Sequence, residues 1–144
     1  VTPAPLREKL LDGLGLLAPT WAAWMRNLSA ALVYQAWSPK FTGLTEVGTV
    51  AKSGRYARVG NLLVFEVQVA PAAGGTSAAV LGTTRIANLP AQADRYGVLH
   101  AIDTSTRAAL GVGLITAGAR TAYMPAWAAN GNTIAICGQV LVAG

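Results

Sequence analysis

Between residues 61 and 70 the chain alternates with a period of two. Leu63, Phe65, Val67 and Val69 fall on one side, with Glu66 and Gln68 between them. A half-buried β-strand puts these two sets on opposite faces. Further strands are expected at 78–81, 83–88, 97–102, 108–116, 121–125 and 133–142, where turn residues punctuate short apolar runs. Ser53-Gly54 reads as a turn, and 71–77, with Gly74-Gly75, as a loop. No helix-length pattern separates these strands, so a parallel α/β sheet is disfavoured. The expectation is an antiparallel, jelly-roll-like β-sandwich of about 100 residues.

Before residue 38 the period is different. Trp21, Trp24, Met25, Leu28, Ala31, Leu32 and Gln35 recur at steps of three and four, which predicts one buried stripe on a helix. Pro19-Thr20 supplies its start, with Thr20 as N-cap. Trp37-Ser38-Pro39 supplies its end, because a residue before proline avoids the helical region. The stripe spans about two heptads, too few to establish a coiled coil. It packs either on its own domain or on copies of itself. A second short helix at 6–17 is weakened by Gly13 and Gly15. The chain is therefore read as mainly β, with an N-terminal extended and helical segment (1–38) ahead of a β-sandwich domain (39–144).

Composition sharpens this reading. Of 144 residues, 53% are apolar and 12% charged, and 28 are alanine. A typical soluble domain is about 25% charged. Such a chain has ample material for a core and is not disordered. A monomer with so few charges risks association, so part of the surface is expected to be buried in an oligomer or larger assembly. The alternative is a genomic base composition that inflates alanine, glycine and arginine. No membrane insertion and no export signal are expected. The uncharged stretch 121–144 is long enough to span, but Pro125, Asn130, Gly131 and Asn132 break it into strands and a turn.

The search for chemistry yields little. His100 is the only histidine and Cys137 the only cysteine, which leaves neither a disulfide framework nor a metal-ligand set. His100 shares a strand face with Val98, and no Gly-x-Ser-x-Gly turn offers it a nucleophile. Cys137, in an apolar strand, reads as a buried small hydrophobe. Glu46, Glu66, Asp94 and Asp103 are a thin supply for a hydrolytic carboxylate pair. Gly13-Leu14-Gly15 and Gly111-Val112-Gly113 lack the rest of a nucleotide fingerprint. The net charge of +5 permits nucleic-acid binding, but the arginines after residue 50 are scattered, and Arg55 and Arg58 fall on opposite faces of their strand. Trp127, near Asn130-Gly131-Asn132, is either a sugar-stacking surface residue or a core plug beneath a hairpin. No catalytic residue, metal or cofactor is assigned.

Two stretches carry a resemblance. The first is Pro5-Leu6, Asp12-Gly13, then Pro19-Thr20-Trp21-Ala22-Ala23-Trp24 and Leu28. The second is Trp37-Ser38-Pro39-Lys40-Phe41-Thr42-Gly43-Leu44-Thr45, then Val47-Gly48-Thr49, then the run from Gly54 to Phe65. Together they resemble structural proteins of tailed bacteriophages: small tail fibres, head appendages and receptor-binding β-sandwich proteins. The similarity covers roughly residues 5–70. It implies a non-enzymatic virion component, a homo-oligomer and commonly a trimer. Its N-terminal segment would attach to other virion proteins of the tail, the portal region or the capsid. The sandwich would face outward; contact with a host-surface glycan is a further expectation that rests on the loop position of Trp127 and not on the resemblance. On this reading Trp21, Trp24, Leu28 and Leu32 carry oligomer or virion docking, and Trp127 is the candidate glycan contact. The chain lacks a long shaft and is unusually rich in alanine, which keeps a capsid cementing or decoration protein open. A carbohydrate-binding module is the alternative from a different class.

Overall fold

A computed structural model describes residues 22–23 and 33–144. Trp21, Trp24, Leu28 and Leu32, for which the sequence predicts a helical stripe, lie outside the described residues. From residue 35 onward the protein is antiparallel β-structure in two sheets.

The strands in chain order are β1 (Gln35–Trp37), β2 (Phe41–Thr42), β3 (Thr45–Val47), β4 (Val50–Val59), β5 (Leu62–Pro71) and β6 (Thr76–Ala79). They continue as β7 (Arg85–Ile86), β8 (Gly97–Asp103), β9 (Ala109–Ile115), β10 (Ala122–Tyr123), β11 (Trp127–Asn130) and β12 (Ile134–Leu141). Nine of them form one sheet in the order β1-β4-β5-β12-β8-β9-β10-β7-β2, and β11-β6-β3 form a second.

This order forces the large sheet to curl. Its two edge strands, β1 and β2, are consecutive in the chain and separated only by Ser38, Pro39 and Lys40. Such a link spans at most about 14 Å. Across a flat nine-stranded sheet the edges would stand about 38 Å apart. The edges therefore approach each other, and a side chain ties them. The Trp37 indole N–H donates to the carbonyl of Asn88, just past β7, at 3.1 Å. Asn88 returns the contact, accepting from the Lys40 amide at 2.7 Å and donating to the Ser38 carbonyl at 3.0 Å.

The inner face of the curled sheet is the core. Leu63, Phe65, Val67 and Val69 of β5 are all at most 3% exposed, as their alternation predicts. They meet Leu99 and Ala101 of β8, Ile115 of β9, and Ile134, Ile136 and Val140 of β12. The three-stranded sheet adds Ala79, Trp127 and Ala129. Burying each large aliphatic side chain contributes about 1.5–3 kcal/mol.

Two local expectations are corrected. Gln35–Trp37 is not a helix end. It is a strand, with Gln35 opposite Tyr56 and Trp37 opposite Gly54. The helical spacing that reaches Gln35 is overridden by long-range pairing. Ser53-Gly54 is not a turn either, because both residues lie inside β4. Gly54 is needed there for space: a Cβ on it would stand 2.7 Å from the Trp37 ring. That ring also meets Phe65 edge-on, with centroids 6.0 Å apart. The strand β11 was not anticipated.

Candidate interaction surface

The pairing registers place side chains in rows across the outer face of the large sheet. One row runs from Arg55 on β4 through Glu66 (β5), Cys137 (β12) and His100 (β8) to Val112 (β9). The next runs from Ala57 through Val64, Gln139 and Val98 to Leu114, and on to Tyr123 of β10.

The two ends of the first row differ in chemistry. At the β4–β5 end, Arg55 donates to Glu66 Oε2 from Nε at 2.9 Å and from Nη2 at 2.6 Å. The Tyr34 ring lies 5.0 Å from the guanidinium carbon. This bonding raises the Arg55 pKa above its ordinary value, with Glu66 the principal cause. Arg58 lies opposite Leu63, on the other face, and donates to the Ala143 carbonyl at 2.6 Å. The two arginines do not combine into a basic patch.

Toward β12, β8 and β9 the outer face turns apolar. Leu62, Val98, Ile102, Val112, Leu114 and Leu141 are between 38% and 54% exposed. Beside them, the turn carrying Leu81 and Gly82 overhangs the sheet. It walls a groove of about 500 Å³ whose floor includes Val98, Val112, Leu114 and Tyr123. Outer positions of β12, β8 and β9 carry no Asp, Glu, Lys or Arg; His100 is their one titratable nitrogen base. Isolated exposed apolar residues need no explanation, but a contiguous apolar sheet face marks an interaction site.

Cys137 lies on this outer face and is exposed, not buried as expected. Ile134 and Ile136 point inward, so strand parity sends Cys137 outward. Burial pushes its thiol pKa up, Glu66 adds to the rise, and Arg55 opposes it. His100 sits directly opposite Cys137 on the neighbouring strand.

Trp127 is placed elsewhere and is only 6% exposed. Its indole N–H donates to Ser77 Oγ at 3.1 Å. It is the core plug, and its ring offers no face for a sugar to stack on. Among the described residues, no group of three or more His, Cys, Asp or Glu side chains is arranged to hold a metal ion. Sequence reasoning missed the apolar outer face as a location, although Val98, Ile102, Val112 and Leu114 share parity within their strands.

No family model, no curated protein and no solved structure matches this chain.

Proposed function

We propose that this protein is a non-enzymatic structural component of a phage virion that works by assembly. It would be a short oligomeric tail or head appendage, with the curled β-domain as its jelly-roll-like head. The N-terminal stripe of Trp21, Trp24, Leu28 and Leu32 is its anchor to other virion proteins. The observation that carries the assembly reading is the uncharged, apolar outer face over β12, β8 and β9. A chain that leaves six large aliphatic side chains open on one sheet is matched to a partner. The resemblance to tailed-phage proteins over residues 5–70 supplies the virion context. The carbohydrate-binding alternative loses its candidate residue, because Trp127 is buried.

The test is the native mass of the purified 144-residue chain beside its W24D/L28D double variant. Assembly of the parent chain and its loss in the variant is the expected result. A parent chain that stays monomeric at every concentration contradicts the assembly reading.

A further inference from the structure

We propose that the apolar outer face over β12, β8 and β9 seats the same face of a second copy of this chain, related by a two-fold axis. This rests on the assembly reading and names the partner.

Charge is the first argument. The chain carries a formal net charge of +5. Yet the outer positions of β12, β8 and β9 carry no carboxylate and no lysine or arginine. Glu66, the carboxylate beside them on β5, is already bonded to Arg55. An acidic or basic partner finds no complement there. An uncharged apolar face does, and a second copy presents one.

Size is the second argument. Three strands, β12, β8 and β9, at about 4.8 Å spacing and some seven residues deep give a footprint of about 340 Å². Tyr34 extends it on one flank, and Leu81 and Tyr123 on the other. The total falls below the roughly 800 Å² per partner of a standard stable interface, which makes the contact a weak, concentration-dependent one. Two such sheets pack face to face at about 10 Å, as sandwich sheets do.

Symmetry is the third argument. A head-to-tail contact needs two different complementary patches on each copy. Among the described residues, the largest group of exposed aliphatic side chains is on this face; Val47 and Tyr96 are exposed singly, and Val33-Tyr34 and Val80-Leu81 as adjacent pairs. A patch that meets its own identical copy does so across a two-fold axis. Cys137, on β12 next to the polar residues of β5, then lies at the edge of the contact, and His100, between Val98 and Ile102 on β8, lies inside it.

The experiment is the native mass of the full chain, measured alongside V112E, L114E and R120E. Val112 and Leu114 are on the face; Arg120 is exposed in a loop. The expected result is an even number of copies for the parent chain and R120E, with V112E and L114E reduced at least tenfold in association. Unchanged circular dichroism and melting of the glutamate variants' subunits shows that the fold survives. A trimer, or any odd number, overturns the two-fold pairing while leaving assembly intact. An even oligomer indifferent to V112E and L114E overturns it too. A monomeric parent overturns both the pairing and the assembly reading.

Discussion

β5 and β8 stand in the same sheet with β12 between them, and they treat their outer faces in opposite ways. Inside, they are alike: Leu63, Phe65, Val67 and Val69 on one, Leu99 and Ala101 on the other, all closed off from water. Outside, β5 carries Leu62 and Val64 at one end and then Glu66 and Gln68, which are bonded to each other or to Arg55. β8 presents Val98 and Ile102, 46% and 43% exposed. Antiparallel sheets facing water alternate apolar and polar residues, whereas strands covered on both sides lose that alternation. One half of the outer face therefore carries charged side chains and the other carries none. On the proposed function, the exposed aliphatic side chains of the outer face serve association.

The contrast breaks first at the core. Phe65→Ala should cost about 3–5 kcal/mol in denaturant unfolding, because it empties the space beneath Trp37. Val98→Ala, on the outer face, should leave subunit stability within about 0.5 kcal/mol while weakening association. Equal losses from the two would erase the distinction between faces.

A second comparison uses neighbours in β12. The Phe65 ring lies where a Cβ on Gly138 would go. Gly138→Ala should destabilise by about 1–3 kcal/mol through overpacking. Cys137→Ala, one residue away and on the opposite face, should stay within about 0.5 kcal/mol for the separated subunit. Thermal melts of the two variants test the parity assignment directly.

Ser77→Ala sharpens the placement of Trp127. Removing the hydroxyl strands a buried indole N–H, at about 1–3 kcal/mol. Blue-shifted Trp fluorescence in the parent chain, and a lowered melting temperature in the variant, are the expected readouts.

The smallest effect concerns Asp103 at the end of β8. Its carboxylate accepts from the Thr106 amide at 3.1 Å, the Asn132 side-chain amide at 2.8 Å and the Ser105 amide at 2.9 Å. These bonds, Thr106 first and Asn132 next, hold its pKa below the ordinary carboxylate value. A depressed folded pKa gives stability that is complete above the unfolded value and is lost as pH falls through the folded one. Asp103→Ala should therefore melt lower than the parent at neutral pH, with the gap closing in acid. A gap that stays constant with pH contradicts this.

Part of this molecule was legible in the chain order. β5 was plain because its alternation is local, with both faces marked by residue type. The low charge reads either as a surface to be covered or as genomic base composition, and it gives neither a place in the fold. β1 was misread because its spacing continues a helical stripe, and only the partner strand near Gly54, 17 positions away from Trp37, decides otherwise. Gly54 read as a turn for the same reason: the ring it makes room for is distant in sequence. Cys137 was misassigned although the parity of Ile134 and Ile136 already pointed it outward. Trp127 was left between two roles because its deciding partner, Ser77, lies 50 residues away.

Cys137 is the chain's only cysteine and lies on the outer face at the margin of the proposed contact. The most direct test of the account is the rate of thiol alkylation at Cys137 as protein concentration rises. If the outer face closes on a partner copy, the rate should fall as association sets in, and L114E should abolish that fall. A rate constant that is independent of concentration, and equal in the parent chain and L114E, would contradict the central claim that this face is built to be covered by association.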